Sequence, residues 1–185
     1  MADNVNPRLP GMRSPQAGFE APFAMLQACH ERVQRSLQLL DRLVAHLGAQ
    51  GRDASARAAA HDVWRYFQIA APAHHADEEI HILPVLDASG EPELMAAARQ
   101  IRADHVALDH TWQELGALLQ TLADAGAAWD ASLQANLQRL ADAFVTLHDR
   151  HVPLEDGLAF PAAQARIDGA AQRAMGAEMA ARRQT

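Results

Sequence analysis

The sequence predicts an all-α fold: an up-down-up-down antiparallel four-helix bundle with a short extra C-terminal helix and a loosely ordered N-terminal arm. Three observations predict it. Apolar residues recur at alternating steps of three and four along three long stretches, the pattern of a helix stripe buried in a bundle. Glycine, proline and aspartate gather at the borders of those stretches, where helices stop and start. The connections are short, which forces consecutive helices to lie antiparallel.

Taken in order, residues 1–19 carry Pro7, Pro10, Gly11 and Pro15 and read as an arm lying across the bundle. The first helix, 20–48, keeps Phe23, Leu26, His30, Val33, Leu37, Leu40, Val44 and Leu47 in unbroken register. Gly48 and Gly51 end it. Asp53 opens the second helix, 53–88, whose looser stripe runs through Val63, Phe67, Ala70, His74, Glu78, Ile82 and Val85. Pro72 lacks an amide donor and is expected to kink or break this helix. Gly90 and Pro92 introduce the third, 92–124, with Leu94, Ala98, Ile101, His105, Leu108, Trp112, Leu115, Leu119 and Leu122. Gly126 and Asp130 introduce the fourth, 130–163, along Leu133, Leu137, Leu140, Phe144, Leu147, His151, Leu154 and Leu158. Pro153 is expected to tilt this helix locally. A fifth stretch, 169–183, ends in Arg182 and Arg183, which suit a helix C-terminus. The division is thus an arm at 1–19, a bundle at 20–165 and a C-terminal helix within 166–185.

Each of the four stripes carries one histidine where a leucine would otherwise stand: His30, His74, His105 and His151. Two are followed one helical turn later by an acid, His74 by Glu78 and His151 by Glu155, and residues four apart share a helix face. At about 1.5 Å per residue, His30 lies roughly 15 Å and His105 roughly 20 Å from their helix starts. His74, Glu78, His151 and Glu155 lie about 12 to 21 Å from their helix ends. In an antiparallel bundle these starts and ends share one side, so six donors meet in one layer. Buried carboxylates are costly unless a cation accompanies them. Imidazole with carboxylate suits iron, zinc or manganese, and two carboxylates from opposite helices can bridge two metals.

Other residues carry weaker signals. His75 and Glu79 repeat the His-x-x-x-Glu spacing one residue on, about 100° around the helix, and His75 is a candidate extra ligand. His81 makes a single Glu-x-x-His element with Glu78, a pattern that ferritin-like centres use twice. His148 is a candidate for orienting a ligand by a hydrogen bond. His46 and His61 read as ordinary exposed or edge residues. The three tryptophans read as packing residues, with Trp112 placed to wall a cavity where a small molecule approaches. Cys29 reads as a small buried thiol turned away from His30.

Composition bounds the rest. The 185 residues amount to one domain, and 49% hydrophobic content is ample for one core. A single cysteine allows no intramolecular disulfide, which fits a reducing, cytoplasmic setting. A net charge of −7 argues against nucleic acid as a partner. No charged-then-apolar leader and no apolar run near membrane-spanning length is present, so neither secretion nor membrane insertion is expected. A monomer or homodimer is expected.

The stretches CHERVQRSL (29–37), HHADEEIHILPVL (74–86), DHVALDHTWQEL (104–115) and HVPLEDGLAFP (151–161) resemble the hemerythrin-like family with the HHE cation-binding domain. The resemblance spans residues 20–165. It implies His30, His74, Glu78, His105, His151 and Glu155 as metal ligands. It also implies a non-haem centre of two iron ions, oxo- or hydroxo-bridged, with zinc or manganese as substitutes. Family roles include sensing of oxygen, other oxidants, nitric oxide or iron level. Oxygen-carrying hemerythrins have a second third-helix histidine four residues after the first, whereas Asp109 stands there in this chain and His110 is five away. The site is thereby harder and more anionic, which favours ferric iron over reversible oxygen carriage. The function expected is binding or sensing of a small oxidant or gas (oxygen, peroxide or nitric oxide) or of iron. The alternatives are a di-iron enzyme consuming peroxide or nitric oxide, and a helical scaffold without metal.

Overall fold

Aspartates close three helix starts, two of them, Asp53 and Asp130, in the way the sequence anticipates. Asp53 accepts from the Ala56 amide at 2.8 Å, Asp130 from that of Leu133 at 2.9 Å, and Asp168 from Ala170 and Ala171. Gly51 and Gly90 hold the positive φ angles, 75° and 73°, on which the first and third turns depend. The computed structural model describes residues 18–183, and all regular structure among them is helical. The elements are α1 (Pro22–Gln50), α2 (Ala54–His81), α3 (Leu83–Asp87), α4 (Pro92–Ala123), α5 (Ala131–Leu154), a π-helical turn (Glu155–Ala159), α6 (Phe160–Gln164) and α7 (Gly169–Arg182). Of the N-terminal arm expected at 1–19, residues 1–17 lie outside the described residues.

Pro72 does not break its helix. α2 continues through Pro72, because Pro72 and Gln68 both face solvent and water can replace the lost backbone bond. The interruption comes at Ile82, so the stretch expected as one helix to 88 is two. Pro84 sits in the first turn of α3, where a missing donor costs nothing. Pro153 is tolerated within α5, but the chain then widens into the π turn at Glu155–Ala159.

The four long helices form a closed ring: α1 packs on α2 and α5, and α4 also packs on α2 and α5. Arg52, in the α1–α2 connection, donates to the carbonyls of Thr121 and Leu122 in the last turn of α4 and of Asp124 and Ala127 just beyond it. At the other end Arg166, after α6, pairs with Glu91, just before α4. The core is split. One apolar cluster, with Leu40, Phe67, Leu119 and Phe144, fills the Arg52 end, and another, with Leu26, Leu86, Ile101 and Phe160, fills the opposite end. Along every long helix the residues between the two clusters are polar and buried: His30, His74, Glu78, Asp104, His105, His151 and Glu155. A leucine at any of these positions would contribute about 2 kcal/mol through burial.

α7 is clamped across this end by charge and by close approach. Asp77 on α2 is fully buried and pairs with both Arg182 and Arg183. Gly176 lies directly on the Phe19 carbonyl, and the Arg183 guanidinium stands 5.3 Å from the Phe19 ring centroid. A Cβ at position 176 would collide with that backbone oxygen. Gly176→Ala is therefore expected to destabilise the protein by about 1–3 kcal/mol, the usual cost of overpacking, despite its better helix propensity. A denaturant midpoint equal to or above the parent's would show that α7 does not bear on Phe19. No helix among the described residues is long and apolar enough to cross a membrane.

Candidate metal centre

The six residues singled out from the stripes meet in the polar layer. His30 comes from α1, His74 and Glu78 from α2, His105 from α4, and His151 with Glu155 from the junction of α5 and the π turn. Each carboxylate faces both ways. Glu78 turns Oε1 to His74 Nε2 (3.1 Å) and Oε2 to His105 Nε2 (3.3 Å). Glu155 turns Oε2 to His30 Nε2 (3.1 Å) and Oε1 to His151 Nε2 (3.3 Å). Two donor groups result, His30/His74 and His105/His151, with Glu78 and Glu155 common to both.

None of the four Nε2 atoms or four carboxylate oxygens makes a hydrogen bond within the protein, although all eight are buried. Buried polar atoms are rarely left so, and eight orphans aimed at shared points fit cations held between them. Nitrogen and oxygen donors in this ratio suit iron, zinc or manganese.

The outer nitrogens of two of the four rings, His30 and His105, are held by acids. His30 Nδ1 donates to Asp156 at 3.0 Å and His105 Nδ1 to Glu79 at 2.9 Å. His151 Nδ1 lies 3.9 Å from Asp104, whose other oxygen accepts from Gln100 and Arg150. Such partners fix ring orientation and raise ligand basicity. Adjacent residues on a regular helix point about 100° apart. The wider π turn lets both Glu155 and Asp156 reach the same ring, one at each nitrogen of His30.

Charge in the layer is finely opposed. Burial raises the Glu78 carboxyl, and the neighbouring Glu155 raises it further, to about 8. Burial acts on Glu155 in the same direction, but contacts from His105 and His30 outweigh it and hold this group well below the usual carboxylate range. For His30, burial pulls downward yet Asp156 and Glu155 prevail, raising it to about 10. Burial dominates at His151, lowered to about 3, and drives His74 well below its ordinary value.

The remaining histidines separate cleanly. His75 joins His105 and His151 in a third donor group. Asp109, the expected helper on α4, faces His75 at 3.7 Å and belongs to none of the three donor groups. His110 is exposed beside Glu114, and His81 faces Glu178 on α7 instead of the layer. His148 is buried but donates to the Phe144 carbonyl at 2.9 Å, so it orients no ligand by hydrogen bond, contrary to expectation. His46 pairs with the helix cap Asp53, and His61 is exposed. Cys29 is buried and accepts from Arg32 at 3.0 Å.

One small cavity reaches the layer and a second lies beside it at His75. The first, about 20 Å3, is lined by Cys29, His30, Tyr66, His74 and His151, among others. The second, about 30 Å3, lies behind Pro72, Asp109 and Trp112, so Trp112 walls a cavity as expected. Both are bordered by Ala71, His75 and His148. Each has room for about one water-sized molecule.

Reading the stripes missed Asp104 and Asp156, and named Glu79 only in a pair with His75, not as the partner of His105. Glu79 and Asp156 each follow a layer acid directly, and Asp104 precedes His105; that adjacency was the available signal.

The chain matches the family model of the hemerythrin HHE cation binding domain over residues 21–163. It is also similar to an uncharacterized protein of Haemophilus influenzae, 29% identical over 168 residues that span 91% of this chain and 93% of that protein. No solved structure matches it significantly.

Proposed function

We propose that this chain, which belongs to the hemerythrin HHE cation-binding domain family, holds two iron ions in its polar layer and uses them to bind or sense a small oxidant or gas. The scaffold is read as an up-down-up-down antiparallel four-helix bundle. The observation that carries the proposal is the splitting of Glu78 and Glu155, each presenting one oxygen to the His30/His74 group and the other to the His105/His151 group. A single cation needs no such division; two neighbouring cations do.

Bound iron supplies one-electron chemistry and open coordination positions for oxygen, peroxide or nitric oxide. The chain's residues do the rest. His30, His74, His105 and His151 would hold the ions and Glu78 and Glu155 would be shared between them, while Asp156 and Glu79 hold the outer nitrogens of His30 and His105. The cavities restrict entry to molecules about the size of water, which favours diatomic gases and hydrogen peroxide over organic substrates.

Protein purified in air is expected to carry two irons per chain, with the absorption of ferric iron. His105→Ala should lower the iron content and His110→Ala should leave it unchanged. Chelation should lower the melting temperature, because a ligand bound only to the folded state stabilises it by mass action. Chain that neither carries iron nor takes it up would overturn the proposal. Consumption of about one equivalent of oxidant per centre identifies a sensor, whereas sustained consumption with a reductant identifies an enzyme.

A further inference from the structure

We propose, on the reading that the layer holds two cations, that His75 is a fifth imidazole ligand, serving the cation held by His105 and His151, and that Asp109 positions it. His74 and His75 are consecutive on α2, so their side chains leave the helix about 100° apart. They part toward the two halves of the centre. The His74 ring lies 4.8 Å from that of His30, at 88°, while the His75 ring stacks on that of His105 with centroids 4.1 Å apart and planes at 16°. It also meets His151 edge-on at 6.0 Å. Each of His75, His105 and His151 offers a ring nitrogen within 4.8 Å of the others, a spacing that suits three ligands of one ion.

Asp109, one turn after His105 on α4, directs its carboxylate at His75 Nδ1 from 3.7 Å. Its own side chain is 69% exposed whereas that of His75 is 14% exposed, so the acid approaches from the rim and the ring points inward. With Nδ1 turned to Asp109, Nε2 is the nitrogen left for a metal. The pattern matches His105 with Glu79 and His30 with Asp156. α2 thus supplies an imidazole to each half while Glu78 spans both.

The donor sets are then unequal, five for the His105/His151 half and four for the His30/His74 half.

Metal-free full-length protein titrated anaerobically with iron(II), and separately with zinc(II), tests this. The parent should show two sites. His75→Ala should weaken one of them by about 100-fold or more and leave the other within a few-fold, with imidazole in solution restoring part of the loss. Asp109→Ala, a rim substitution that cannot disturb the core, should weaken the same site by about 10-fold, as loss of an outer-shell partner does. Should His75→Ala fail to fold, Asp109→Ala carries the test. Parental affinity at both sites in either variant that folds would overturn the role of His75 and leave the two-cation reading standing. A parent that takes up no metal would overturn both.

Discussion

Glu78→Gln protein will lose the capacity to hold two metal ions, while its metal-free form will melt no lower than the parent's. The opposed effects follow from one charge. Glu78 is fully buried and lies against a second buried acid, so its ionised form is disfavoured unless cations are present, and its carboxyl is raised to about 8. Glutamine has nearly the same shape without the charge. Replacing a buried charge by a neutral group of similar volume is often neutral or stabilising when no cation requires it. The same substitution removes an anionic oxygen from each half of the centre. Elemental analysis and thermal melts of chelated protein check the two halves of the expectation. Retention of two equivalents, or a chelated melt several degrees below the parent's, would show that Glu78 is structural and not a bridge.

Replacing Arg182 and Arg183 together by alanine will cost about 3–5 kcal/mol, the usual effect of leaving one member of a buried ion pair alone. Asp77 is 0% exposed, whereas the two arginines are partly exposed. The penalty is therefore asymmetric: the arginines can be solvated when their partner is lost, but the aspartate cannot. Adding Asp77→Ala to the double variant should recover much of the loss, because removing both partners avoids the orphaned charge. Urea unfolding of the three proteins measures this. Additive losses would mean that the contact between α2 and α7 carries no coupling.

Much of the layer was legible because burial in a helix is periodic. A histidine at a leucine position on each stripe, with Glu78 and Glu155 one turn further on, sufficed to bring six donors together. What escaped were features that periodicity does not encode. His75 lies off the stripe by one residue, and its ring and that of His74 lie toward opposite sides of the layer. Proline at position 72 points to a kink or a break, and α2 is not broken there: whether a lost backbone bond matters depends on whether water reaches it. The π turn depends on Pro153 together with what Glu155 and Asp156 face across the bundle. The pairing of Asp77 with Arg182 joins residues 105 apart in the chain, and no local pattern announces it.

The divided core bears on how the molecule comes apart. Its two apolar clusters are bridged by helix backbone and by a polar layer whose inward-facing imidazole and carboxylate atoms have no hydrogen-bond partner within the protein. On the proposed reading, bound ions would supply the cooperativity across that layer. Without them the Arg52 end and the α7 end would behave as separate foldons, able to open independently. Iron loss would then be read outside the centre as loosening of one end, a change that a protease or a binding partner can detect without touching the metal ligands.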